Sequence, residues 1–399
     1  MIVDRLVGAP DDEAGTADRA AGSLRTPHII LVAASLEGGG AERVMSDMAN
    51  YWAARGWGVM IATWSGPEIE DFYALAPSIK RVWLDVRSSD STFITMARSN
   101  LARIFRLRKL LRAVRPDVVL SFIQISNVLT IAAAYGLPLR VVVSERGCVG
   151  NAGEGDVSFY WRLLRKLLYA RSDGVTALNV EAADWLRREC RVDAKVIPPA
   201  ALRPLPDVAI EREPLILGVG RLHAAKGFDV LIKAYARLIA AFPTWRLMLI
   251  GKGPERAALI GLCADLNLRE RVEFLEPMRD VESWMARAGV VVLPSRFEAF
   301  GNTVLESMAT GAAVISTNSP GPVSLIEDGV NGRLVPIDDV ESLTTVMAEL
   351  MAEPETRATL GHEAMKVRER FQQDRIMEQW AATLLPDLAD RDPVADSKK

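Results

Sequence analysis

The sequence predicts an α/β protein of two doubly wound parallel-sheet domains, on three observations. From His28 onward, short β-rich apolar runs alternate with longer amphipathic segments. A proline-rich stretch, Ile197-Pro-Pro to Arg203-Pro-Leu-Pro206, interrupts the series once before it starts again. The 399 residues suffice for two domains, each burying its own core, and 49% hydrophobic with 25% charged residues is a globular composition.

The elements follow in order. Residues 1–25 read as a flexible tail, with Asp11-Asp12-Glu13 and no apolar stretch of the kind a signal peptide needs. In a first domain, 26–200, strands are expected at 28–34, 59–63, 118–122, 139–144 and 174–177. Each is a continuous apolar run of the kind buried on both faces. Helices are expected at 41–55, 98–114, 126–135, 158–170 and 181–189. A second domain, 206–370, should carry strands at 215–219, 246–250, 272–275, 289–293, 313–316 and 332–334, with a helix at 228–240. A helix near 374–385, within 371–386, and a tail, 387–399, close the chain. Two such domains would face a central cleft, because parallel sheets bind ligands at the carboxyl ends of their strands.

Charge and composition exclude several functions. The net charge of −3 argues against a nucleic-acid binder. Residues 25–200 nevertheless carry 23 basic against 17 acidic residues, and 201–399 carry 23 against 29, so the front half suits an anionic partner. Three cysteines without a CxxC pair exclude a disulfide framework and point to a reducing compartment, and three histidines without HExxH make a His-built metal site improbable. No run of 18 apolar residues exists to span a bilayer.

Three segments carry chemistry. Ser35-Leu-Glu-Gly-Gly-Gly-Ala-Glu-Arg43 joins a strand to a helix through three glycines, and Gly39 and Gly40 could bring backbone amides to an anion. Alone, such a turn equally serves packing. Gly218-Val-Gly-Arg221-Leu-His-Ala-Ala-Lys226-Gly227 delivers two cations past a strand end, a planar fork and a point charge suited to a diphosphate. Either could also be a solvated surface cation. Pro294-Ser-Arg-Phe-Glu298-Ala-Phe-Gly-Asn302-Thr-Val-Leu-Glu306 leads from a buried strand into a helix start. Amides from Gly301, Asn302, Thr303 and Val304 could cradle a phosphate there, and the carboxylates of Glu298 and Glu306 accept from sugar hydroxyls. The plain alternative for Glu306 is complementing the helix dipole, about 0.3–1 kcal/mol.

The Glu298–Glu306 pair, the GxGR…KG stretch, the Gly-Gly-Ala-Glu-Arg loop and Glu327-Asp-Gly-Val-Asn-Gly332 together resemble retaining family-4 glycosyltransferases of GT-B fold, of the bacterial surface-polysaccharide type. The resemblance runs from about residue 28 to 385. It implies an N-terminal acceptor domain, a C-terminal nucleotide-sugar domain and a last helix crossing back to the first. It also implies that Arg221 and Lys226 neutralise the diphosphate, Glu298 acts at the donor sugar, and Glu306 holds the ribose. Gly301 to Val304, with Gly39 and Gly40, would complete the phosphate cradle. Neither cofactor nor metal is implied, the nucleotide-sugar being a substrate. The first domain lacks the His many members place near the donor sugar. Segments 121–126 and Ser144-Glu145-Arg146-Gly147 resemble those of surface-polysaccharide relatives, making Glu145 and Arg146 acceptor-side candidates.

Seven cations and no acid between Arg98 and Arg115, and the aromatic, basic segment 160–169, suit an anionic membrane surface as well as an ordinary solvated face. The reading is a cytoplasmic hexosyl- or N-acetylhexosaminyltransferase, peripheral on the inner membrane face. It would use a UDP-sugar in preference to GDP-mannose, with a glycan or lipid-linked acceptor. The alternatives are a GT-B sugar-nucleotide epimerase and a non-catalytic sugar-nucleotide-binding protein. A NAD-dependent dehydrogenase is disfavoured by the missing GxGxxG.

Overall fold

The computed structural model describes residues 26–84, 93–147, 159–200 and 211–386. The expected tails, Cys148 and residues 201–206 of the proline-rich stretch lie outside them. The described strands form two wholly parallel sheets. The first contains β1 (His28–Ala33), β2 (Gly58–Thr63), β3 (Lys80–Trp83), β4 (Val118–Phe122), β5 (Arg140–Glu145), β6 (Gly174–Ala177) and β7 (Lys195–Val196). Their order is β3-β2-β1-β4-β5-β6-β7. The central strands are those the apolar runs announce: Ile29–Ala33 and all of β4 are buried. Helices on both faces supply the crossovers parallel strands require.

β3 and β7 have no counterpart among the expected strands. In β3, Lys-Arg-Val-Trp buries only Val82, and β7 is two residues long. Both are edge strands, which need only one apolar face and are commonly short and charged. The apolar-run criterion therefore passes over them. Helix limits differ at the ends: Phe93–Val114 begins five residues before the expected start, and Gln124–Ala134 two residues before.

The second sheet contains β8 (Glu213–Val219), β9 (Arg246–Ile250), β10 (Val272–Leu275), β11 (Ala288–Leu293), β12 (Ala313–Thr317) and β13 (Arg333–Val335). Their order is β10-β9-β8-β11-β12-β13. Phe228, Leu231 and Tyr235 of the helix Phe228–Leu238 form one core cluster with Ile216, Leu247, Val290 and Met347. In each sheet the order reverses beside the first strand, between β1 and β4 and between β8 and β11. A ligand binds at such a switch point, outside the carboxyl ends.

The chain divides into two compact units, one holding β1–β7 and the residues from Met377 onward, the other holding β8–β13. The last helix, Gln373–Leu384, thus has its final two turns in the first unit. There Trp380, fully buried, lies 6.0 Å from the Phe122 ring at the end of β4. Arg140 Nε donates to the Thr383 carbonyl at 3.4 Å. Cys190 and Cys263 are free and buried, and burial pushes each thiol up to about 11. Among the described residues no helix is long and apolar enough to cross a membrane.

Candidate active site

The second unit builds its site from the ends of β8 and β11. Past β8 the chain makes a short turn, Ala224–Lys226, closed by Gly227 at φ +65°. A Cβ on Gly227 would fall 2.1 Å from the Pro294 carbonyl oxygen, so only glycine lets this turn touch the segment leaving β11. The contact is stitched from the other side. Arg296 N–H donates to the Ala225 carbonyl at 2.9 Å, and its guanidinium grips both Asp229 carboxylate oxygens at 2.9 Å. Asp338 lies 2.6 Å from Arg296 Nε. Burial pushes the Asp229 carboxyl up, but the Arg296 hydrogen bonds outweigh it and hold the group below its usual value.

This stitching brings Lys226 Nζ to 2.5 Å from Glu298 Oε2, with the side chains 28% and 22% exposed. The Glu298 backbone is fixed by the Gly321 N–H, which donates to its carbonyl at 3.1 Å. Gly321 packs so tightly on Phe300 that a Cβ would meet its backbone at 2.6 Å. Arg221, immediately past β8, is exposed and makes no ion pair or side-chain hydrogen bond among the described residues. Arg296 escapes sequence reasoning because it looks like one more surface cation. Its signal is Asp229 opening the helix it clamps.

Gly301, at φ +90°, caps the helix Asn302–Ala309 and offers no side chain to its amides. The first turn, Asn302, Thr303 and Val304, begins in the segment that follows β11, and the start of a helix favours an anion. Glu306 is the fifth helical residue, just past the first turn, and is 9% exposed.

The glycine turn of the first unit differs. Gly39 caps the helix Gly40–Ala54, but the Glu42 carboxylate reads back onto it. Glu42 Oε2 accepts from Gly38 N–H and Gly39 N–H at 2.8 Å each, and Oε1 accepts from Ser35 Oγ at 2.8 Å. Of the cradle expected at Gly39 and Gly40, the Gly39 amide thus already holds an anion, the protein's own. A glycine cap with Glu three residues on is a capping-box spacing, so the signal is in the sequence.

Glu145 and Arg146, at the end of β5, have different surroundings. Glu145 is 2% exposed, accepts from the Tyr169 hydroxyl at 2.8 Å and lies 3.8 Å from Arg165 Nη1. The Tyr169 oxygen in turn accepts from Asn127 Nδ2 at 2.9 Å. Burial and the neighbouring Glu145 raise the Tyr169 hydroxyl well above its usual value. Arg165 also donates to Gln124 and stacks 4.3 Å from the Trp185 ring. Arg146 lies 5.0 Å from the Phe122 ring and is 8% exposed. Asn127, Tyr169 and Arg165 are further residues that sequence reasoning misses, because only the fold gathers them around Glu145.

Known proteins share this architecture. Residues 206–367 match the family model of glycosyl transferases group 1, and residues 38–201 match that of glycosyltransferase family 4. Over 357 residues the chain is 27% identical to the Campylobacter jejuni GalNAc-alpha-(1->4)-GalNAc-alpha-(1->3)-diNAcBac-PP-undecaprenol alpha-1,4-N-acetyl-D-galactosaminyltransferase, covering 88% of this chain and 96% of that protein. Over 155 residues it is 37% identical to the lipopolysaccharide core biosynthesis glycosyltransferase LpsE of Rhizobium meliloti, covering 38% of this chain and 44% of LpsE. The structure of Anabaena HepE in complex with UDP-glucose superposes with a TM-score of 0.71 at 18% identity, covering 90% of this chain and 99% of that one. With two Rossmann-like sheets of one strand order, each matched by a glycosyltransferase model, the chain belongs to the family-4 glycosyltransferases of GT-B fold.

Proposed function

We propose that the protein transfers a hexosyl or N-acetylhexosaminyl group, with retention, from a nucleotide-diphospho-sugar to a lipid-linked glycan in cell-surface polysaccharide synthesis. The observation that carries this reading is the Lys226–Glu298 pair beside the glycine-capped helix start at Gly301. A cation, a carboxylate and a set of first-turn amides are the groups a sugar diphosphate needs within one site. In this reading Lys226 and Arg221 neutralise the diphosphate, and the amides from Gly301 to Val304 hold its oxygens. Glu298 accepts from donor-sugar hydroxyls beside the reacting carbon, and Glu306 from the ribose.

The free protein pairs Lys226 with Glu298, so the arriving diphosphate competes for the lysine and releases the carboxylate to the sugar. The acceptor oxygen then attacks the anomeric carbon on the face the diphosphate leaves. The carbon–oxygen bond to phosphate breaks, the new glycosidic bond forms, and the acceptor proton passes to the departing phosphate. No metal is required, because the two cations and the helix start stabilise the leaving charge.

UDP is the preferred nucleotide, supported by the HepE complex with UDP-glucose. A diphosphate-linked lipid acceptor is supported by the substrate in the Campylobacter relative's name, and surface polysaccharide by LpsE. The first unit offers a surface suited to such an acceptor on the inner face of the cell membrane. The helix Gln124–Ala134 packs between Phe93–Val114 and Phe159–Leu168. The outer two expose Leu101, Phe105, Phe159, Tyr160, Leu163 and Leu167 beside basic Arg106, Lys109 and Arg112.

Thermal melting against UDP-, GDP- and ADP-sugars tests the donor. A ligand that binds only the folded state raises the melting temperature, and UDP-sugars should do so most. A response to GDP-mannose alone would replace the nucleotide, and no response to any would remove the donor assignment. Co-sedimentation with anionic vesicles, lost at high salt and absent with neutral vesicles, tests the membrane surface.

A further inference from the structure

Arg146 is a buried cation with no ion pair among the described residues. It follows β5 directly, and its guanidinium lies over the ring of Phe122, the last residue of neighbouring β4. Both Nη atoms are buried and without a hydrogen-bond partner among the described residues. Burial lowers the group from its ordinary value to about 9. The preceding carboxylate does not serve it, since Glu145 is engaged by Tyr169 and Arg165. An aromatic face offsets only part of the cost of desolvating a guanidinium.

Other unsatisfied groups lie at the same sheet edge. Gln124, which opens the helix after β4, has a buried Nε2 without a hydrogen-bond partner among the described residues, and so does the Oγ of Ser144 on β5. Ile123 between Phe122 and Gln124 is held at φ +72°, ψ 139°, a conformation a β-branched residue adopts only under constraint. Unsatisfied donors therefore gather where β4 and β5 end, beside the reversal of strand order, and donors without acceptors select an anion. A guanidinium with two unpaired nitrogens matches two oxygens of one group, and a further donor asks for a third oxygen. A phosphoryl group has three.

We propose that Arg146, assisted by Gln124, binds a phosphoryl group of the acceptor substrate within the unit formed by β1–β7. The proposal rests on the reading that this unit takes the acceptor. Of the two acceptor-side candidates, Glu145 then belongs to the scaffold and Arg146 to the ligand.

The test uses the full chain carrying Arg221→Ala and Lys226→Ala, so that diphosphate binding at the other unit is suppressed. Inorganic pyrophosphate is titrated calorimetrically and by thermal melting. A pyrophosphate site should remain, and adding Arg146→Met should weaken it at least tenfold, with Arg146→Lys intermediate. Without ligand, Arg146→Met should melt at the parent temperature or above, because it removes an unpaired buried charge. A merely structural cation gives the opposite pattern. Melting several degrees lower with pyrophosphate affinity unchanged would overturn the proposal, as would an unchanged affinity in Arg146→Gln should the methionine variant fail to fold. The acceptor reading fails separately. If Arg146→Met in the otherwise unaltered protein weakens UDP as much as Lys226→Ala does, Arg146 serves the donor.

Discussion

If Lys226 is shared between Glu298 and the donor diphosphate, the two partners respond to mutation with opposite signs. The pair is short, 2.5 Å, yet both side chains are about a quarter exposed, so its net contribution to folding is at most about 1 kcal/mol. Lys226→Ala and Glu298→Gln should each lower the melting temperature by only about 2–4 °C. Their effects on UDP binding diverge. Losing a charge-assisted bond to phosphate costs about 1.5–3 kcal/mol, so Lys226→Ala should weaken UDP by roughly 10- to 100-fold. Glu298→Gln removes the competitor for the lysine, and recovering about 1 kcal/mol tightens UDP roughly fivefold. The same substitution should abolish sugar transfer, because the amide no longer accepts from the sugar hydroxyls as a carboxylate does. Isothermal titration with UDP and product analysis with a UDP-sugar read both effects. If Glu298→Gln weakens UDP as Lys226→Ala does, the competition is wrong. Full transfer activity in Glu298→Gln would remove Glu298 from the chemistry.

Further outcomes follow from the same geometry. Gly227→Ala should cost at least about 2 kcal/mol in urea unfolding, since it combines a left-handed backbone with a Cβ 2.1 Å from a carbonyl oxygen, and UDP binding should fall with it. Arg296→Ala, which releases the Asp229 and Asp338 carboxylates and the Ala224–Lys226 turn, should weaken UDP without touching it, an effect that Arg296→Lys rescues only in part. Tyr169→Phe takes a hydroxyl from a buried carboxylate and should lower stability by about 1–3 kcal/mol, read by thermal melting, with UDP affinity unchanged. Glu42→Ala should cost about 1 kcal/mol as a lost cap, measured in the same way.

The central strands of both sheets are legible in the sequence because burial on two faces leaves no room for polar residues, and β1, β4, β8 and β11 stand out as apolar runs. Edge strands obey no such constraint, so Lys80–Trp83 and Lys195–Val196 pass unnoticed. Of the candidate site, the spacing from Glu298 to Glu306 and the Arg221–Lys226 turn are visible because strand end, turn and helix start are contiguous. Residues gathered from distant segments are not. Arg296 reaches Asp229 across 67 residues, and Tyr169 reaches Glu145 across 24. Nothing in their local pattern distinguishes these side chains from solvated ones.

The two units share a strand order, and their glycine-capped helices differ in one chemical respect that bears on which unit takes the donor. In either unit the first N–H groups of a helix have no intrahelical partner. In the first, Glu42 supplies the anion from within, leaving a charged ligand to displace a carboxylate held by two amides and a hydroxyl. In the second, the cap residue is Gly301, and the carboxylate of Glu298 in the loop before it is drawn to Lys226. In the proposed reading an incoming diphosphate there meets a lysine whose partner has sugar hydroxyls to turn to. Capping chemistry thus supports placing the donor in the second unit.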